Sequence, residues 1–171
     1  MSFEFERVLQ TELDTALFAR TFAKWLMQEN PATFKIYLQG NLGAGKTTFS
    51  RYFIQGFGIT GPVKSPTYTL IEPYEVGAFH ILHADLYRLG SPMEIFDLGL
   101  LEEPGIWLIE WPEKGEGVLP DADVTLKLNR DVETLRMQGS AQNPAAITLL
   151  EKMIAEYDAC IQERSSAETA Q

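Results

Sequence analysis

Cysteine and positive charge are both scarce in this sequence. Cys160 is its single cysteine, which excludes a disulfide framework and a cysteine metal cluster; on an amphipathic C-terminal stretch it reads as an inert, packed thiol. Lysine and arginine together number 14 against 24 acids, for a formal net charge of −10, and nowhere do they form a run. Such a surface does not hold RNA or DNA by itself, so any nucleic acid in this protein's biology needs a partner's basic surface. Long apolar runs are missing too. No stretch approaches the ~20 residues that span a bilayer, and Met1-Ser2-Phe3-Glu4-Phe5-Glu6 has neither the basic nor the apolar part of a secretory signal. A soluble, cytoplasmic protein with no membrane partner is expected. The 171 residues, 45% hydrophobic and 22% charged, suit one globular domain over 1–163 followed by a flexible polar tail over 164–171.

What the chain does have is Gly40-Asn41-Leu42-Gly43-Ala44-Gly45-Lys46-Thr47-Thr48, a G-x-x-x-x-G-K-[ST] pattern directly after the apolar run Phe34-Lys35-Ile36-Tyr37-Leu38. This is the signature of a P-loop. A helical run over 47–55, closed by Gly56, puts strand, loop and helix in the required order. The loop glycines let the backbone turn its N–H groups inward around a polyphosphate, and the helix aims its positive end at the same anion. Gly43, Ala44, Gly45, Lys46, Thr47 and Thr48 form the expected nucleotide-binding stretch. Lys46 would reach the β- and γ-phosphates, the Thr47 hydroxyl would ligate Mg²⁺, and Thr48 would donate to the α-phosphate.

Around this motif the pattern predicts a strand over 3–9 and a helix from the capping box Thr11-Glu12-Leu13-Asp14 to Asn30-Pro31. Strands over 67–73 and 78–82 make a hairpin about Glu75-Val76-Gly77. Ser91-Pro92-Met93-Glu94 opens a short helix that Gly99 ends. Ile106-Trp107-Leu108-Ile109 is the continuous apolar run of a strand covered on both faces, whereas 124–128 alternates, as expected nearer an edge, with 134–137 as its partner. Asn143-Pro144 starts a last helix reaching about Gln162. Strands interleaved with helices argue for an α/β, three-layer P-loop NTPase fold with a central mixed, largely parallel sheet flanked by helices. In such sheets ligands sit at the carboxyl ends of the central strands.

Glu110 ends the Ile106–Ile109 run, where a P-loop NTPase keeps the acid that holds Mg²⁺, and Asp85 ends the run before it, so both are candidate metal-associated acids. Their spacing does not decide which holds the metal. Ser65-Pro66-Thr67-Tyr68-Thr69 lies where a switch segment sensing the γ-phosphate would fall, with Thr67 as the candidate hydroxyl. His83 is either a base or a hydrogen-bonded strand residue, Arg88 either a phosphate contact or an ion-pair partner, and Trp111 either stacks on a base or packs. An N-K-x-D element for guanine is absent, which favours ATP, and the seven scattered arginines supply no evident kinase lid.

In order, the P-loop, Ser65-Pro66-Thr67-Tyr68-Thr69-Leu70, His83-Ala84-Asp85-Leu86-Tyr87-Arg88-Leu89 and Ile109-Glu110-Trp111-Pro112-Glu113 closely resemble the TsaE (YjeE) family over 36–121. Members of that family are ATPases required for N6-threonylcarbamoyladenosine modification of tRNA. The resemblance implies that Lys46 and Thr47 bind phosphate and Mg²⁺, that Glu110 is a metal-associated acid and that Asp85 contributes to hydrolysis. It also brings Thr67 and Trp111 into the site and places Thr11 and Glu12 near the adenine. It implies a TsaB–TsaD heterodimer as partner, with tRNA met only through that complex. A small-molecule kinase, distinguished by an acceptor pocket, and an ATP-gated interaction module with little hydrolysis are the other readings.

Overall fold

The computed structural model describes residues 1–170. Seven strands, β1 (Phe3–Leu9), β2 (Thr33–Gln39), β3 (Ile71–Val76), β4 (Phe79–Asp85), β5 (Gly105–Glu110), β6 (Val124–Arg130) and β7 (Leu135–Ala141), form one mixed sheet. Their order is β1-β7-β6-β2-β5-β4-β3. The centre is parallel, β6 with β2, β2 with β5 and β5 with β4, and antiparallel pairs close both sides. The expected α/β architecture, a mixed sheet flanked by helices, is what forms.

Helices α1 (Glu12–Glu29), α2 (Lys46–Gln55) and α3 (Pro144–Thr169) share a core with one face of the sheet. The strand period of two decides which side chains meet them: Phe34, Ile36 and Leu38 of β2 point to the helices, while Tyr37 points away. Phe18 and Phe22 of α1 meet Phe49 and Phe53 of α2 at ring-centroid distances of 6.4 and 5.7 Å. Each such buried ring contributes on the order of 2–3 kcal/mol of transfer free energy. The opposite face is covered only over β2, β5 and β4, by Leu86, Leu89, Ile95 and Leu100 from connections that include the 3₁₀ turns Pro92–Asp97 and Leu100–Glu102.

Local chemistry sets the ends of these elements. Thr11 accepts from the Asp14 N–H at 3.3 Å and Asn143 from the Ala146 N–H at 2.9 Å, capping α1 and α3. Asn30, left-handed at φ 48°, stops α1.

Four local expectations change. The alternating strand β6 lies inside the sheet between β7 and β2, because its alternation records burial on one face and solvent on the other. Residues 67–70 are a turn, not a strand: Leu70 sits at φ 68° and its N–H is donated to the Pro66 carbonyl at 2.8 Å. The helix opened by Ser91 is a six-residue 3₁₀ turn, the form short helical segments commonly take. The stretch expected as a flexible tail from Arg164 is helical through Thr169, since it lacks glycine and proline and Arg164 pairs with Asp14; Gln171 lies outside the described residues.

Gly105 opens β5 at φ 91°, and a Cβ there would stand 2.3 Å from the His80 carbonyl oxygen on β4. Since the obstacle is backbone in a paired strand, Gly105→Ala should lose about 2–4 kcal/mol of stability, read as a lower urea midpoint at unchanged m-value. An unchanged midpoint would contradict the packing of β5 against β4.

Candidate functional site

Between β2 and α2 the chain makes a loop that depends on glycine at two points. Gly40 has φ 151°, and a Cβ would lie 2.5 Å from the Leu128 carbonyl; Gly45, at φ 111°, begins α2 with no side-chain cap. The first amide N–H groups of α2 therefore lack the capping oxygen that α1 and α3 have, and with the positive end of the helix they suit an anion. The loop borders a cleft of about 440 Å³ that collects Gly43, Gly45, Lys46, Thr47, Thr48, Thr67, Asp85, Glu110 and Trp111, together with Arg88 and Arg130.

Lys46 is buried and folded back on its own loop, donating to the Gly40 carbonyl and, at 3.0 Å, to the Asn41 carbonyl, with its ammonium 4.2 Å from the Trp111 ring centroid. Burial pushes its pKa down, opposed by Glu110, Glu113 and Asp85. Trp111 takes up this position because its backbone turns left-handed, φ 58°, directly after β5.

Parallel pairing brings the acids together: Leu38 of β2 is in register with Glu110 of β5, and Glu110 with Asp85 of β4. Glu110 is 1% exposed, with Oε1 3.4 Å from the Thr47 hydroxyl and Oε2 2.6 Å from His83 Nε2. Asp85 accepts the Tyr87 N–H at 3.0 Å and donates its own N–H to the Leu70 carbonyl at 2.9 Å. Thr67 stands at the rim, half-buried, its hydroxyl 2.7 Å from that of Ser65. Among the described residues no three His, Cys, Asp or Glu group to hold a metal ion. A cation at Thr47 and Glu110 would need further ligands from a bound anion and water.

Thr11 and Glu12 lie apart from this cleft. They border a smaller one of about 170 Å³, which shares Gly45, Thr48 and Arg130 with the larger. The Glu12 carboxylate accepts from Arg51 at 3.0 Å and from the Tyr52 hydroxyl at 2.9 Å. Ala44 is buried in the core, so only its backbone is available to a ligand.

The family model described as "Threonylcarbamoyl adenosine biosynthesis protein TsaE" matches residues 9–138. The chain belongs to the TsaE family. It is 40% identical over 141 residues to the tRNA threonylcarbamoyladenosine biosynthesis protein TsaE of Haemophilus influenzae, covering 77% of this chain and 89% of the relative. To the protein of the same name from Rickettsia bellii it is 41% identical over 135 residues, covering 76% and 91%. The crystal structure of YdiB from Bacillus subtilis superposes with a TM-score of 0.73 at 25% identity, covering 91% of this chain and 97% of that one.

The TsaE match contains every residue of the larger cleft and leaves α3 outside. Two participants escape sequence reasoning. Arg130, at the end of β6, lines both clefts and belongs to no motif; only its place on the strand beside β2 reveals it. Ser50, fully buried, donates to the Lys46 carbonyl at 2.8 Å and lies 3.4 Å from Glu110; its helical spacing from Lys46 was the available signal.

Burial raises the pKa of Asp85 above its free value; the Tyr87 N–H pulls it down and Glu110 pushes it up. An acid with a raised folded-state pKa gives stability that is full below the unfolded value and is lost as pH rises through the folded one. Asp85→Asn, which keeps an acceptor for Tyr87, should therefore be more stable than wild type by about 1 kcal/mol at neutral pH, with the advantage shrinking in acid. Urea unfolding of both proteins across that range checks it; a constant difference would contradict it.

Proposed function

We propose that this TsaE-family chain is a Mg²⁺-dependent ATPase that supports threonylcarbamoyladenosine modification of tRNA by acting on a TsaB–TsaD pair. The observation that carries the reading is the meeting of the uncapped start of α2 and Lys46 with Glu110 and Asp85 in one cleft. Phosphate arriving there exchanges the carbonyl partners of Lys46 for anionic oxygens, and the Trp111 ring keeps the ammonium in reach. Thr47 and Glu110 are the residues that would hold Mg²⁺, which when bound would neutralise phosphate charge. Asp85, which lines the same cleft, would then be the carboxylate that orients or deprotonates the attacking water. Thr11 and Glu12 would border the base through the adjoining cleft.

Output to a partner would run through residues 65–70. That turn is joined to Asp85 through the Leu70 carbonyl, and its exposed Tyr68 lies under the Arg88 guanidinium at 4.3 Å. A γ-phosphate that orders Thr67 would alter the surface beside the cleft, and hydrolysis would release it. A net charge of −10 supports tRNA being met only through the partners; such a complex would work in the cytoplasm.

Hydrolysis by the purified chain with Mg²⁺, alone and with TsaB–TsaD and unmodified tRNA, tests the proposal, phosphate and modified adenosine being scored together. Partner-stimulated hydrolysis is expected, and Lys46→Ala should lower it by ~10²-fold or more. Undiminished modification cycles with Lys46→Ala would overturn the reading.

A further inference from the structure

Strand β4 turns a histidine toward the helix face of the sheet, the side to which Leu108 of β5 also points. His83 is 1% exposed and stands in register with Leu108 of β5, so its ring reaches diagonally along the same face to Glu110. The contact, Nε2 to Oε2 at 2.6 Å, is the shortest at this carboxylate. The other neighbours hold it loosely. The single Ser50 proton goes to the Lys46 carbonyl at 2.8 Å, leaving a 3.4 Å contact to Oε2, and the Thr47 hydroxyl is also 3.4 Å away, from Oε1. A carboxylate this buried keeps one orientation only if a donor fixes it.

The other ring nitrogen, Nδ1, is buried without any partner. Nε2 faces an acceptor and so carries the ring proton in the neutral form, while Nδ1 has no neighbour to pass a proton to. The ring does not line the cleft. This geometry does not suit a base acting on water; it suits a fixed donor that occupies Oε2 and leaves Oε1 turned to Thr47.

We infer that His83 is a positioning residue: it clamps Glu110 with Oε1 toward the Thr47 hydroxyl and thereby sets the affinity of the nucleotide-bound site for its divalent cation. The inference rests on the Mg²⁺–ATP reading above. Ser50 and Thr47 cannot take over, because neither lies within ordinary hydrogen-bonding distance of the carboxylate.

The test is Mn²⁺ binding, followed by electron paramagnetic resonance, to the full chain saturated with the β,γ-imido analogue of ATP. Analogue binding without divalent ion and thermal melting are measured in parallel. His83→Leu removes the donor, His83→Asn keeps polarity but falls short of Glu110, and His83→Gln reaches about as far as Nε2. The Leu and Asn variants should weaken Mn²⁺ binding by ~10-fold or more, with Gln within ~3-fold of wild type and metal-free analogue binding unchanged throughout. Should the Leu variant fail to melt cooperatively, the Asn and Gln pair decides. Wild-type Mn²⁺ affinity in the folded donor-less variants, or a folded Gln variant as weak as Asn, would overturn the inference alone. Analogue binding without Mn²⁺ binding in wild type would overturn the Mg²⁺–ATP reading and this inference with it.

Discussion

The parallel pairing of β2 with β5 is the constraint on which the site depends. β2 delivers the chain into the glycine-rich loop and α2, while β5 ends on Glu110, and their register sets Leu38 opposite that acid. A parallel neighbour must run the same way, so the end of β5 emerges beside the start of α2 and not at the far rim of the sheet. Pairing β4 on the other side of β5 adds Asp85 at the same end. Three strand ends, far apart in sequence, thus supply a helix terminus and two carboxylates to one cleft.

These charges sit where water is scarce. Lys46, Asp85 and Glu110 are all buried, and for Lys46 and Asp85 the cost of desolvation is compensated only in part by their neighbours. Lys46 uses loop carbonyls and an indole face, and Glu110 uses a histidine. Neutral carbonyls and a ring face are weaker partners for an ammonium than an anionic oxygen would be.

The central features were legible because they are written locally. The glycine spacing, Lys46 and Thr47 lie within nine consecutive residues, and Glu110 announces itself as the acid ending an apolar run. The strand β6 was misplaced because alternation reports which faces are wet and is silent about how many neighbours a strand has. Residues 67–70 carry strand-favouring threonine and tyrosine, yet the tertiary bond from Asp85 to the Leu70 carbonyl and the left-handed Leu70 override that preference. The clamp between His83 and Glu110 could not be read at all: the two are 27 residues apart and meet only through the β4–β5 register.

The two faces of the sheet are unevenly covered. On one side, three helices and a chain of aromatic rings form the larger core, which any global unfolding must break. On the other, short 3₁₀ turns and connections hold a smaller cluster beside the cleft. Local opening draws on the stability of the segment that opens and leaves the remainder intact. Opening the thinner side would therefore expose fewer buried side chains than opening the helical side, so the two faces of one sheet would differ in the cost of local unfolding.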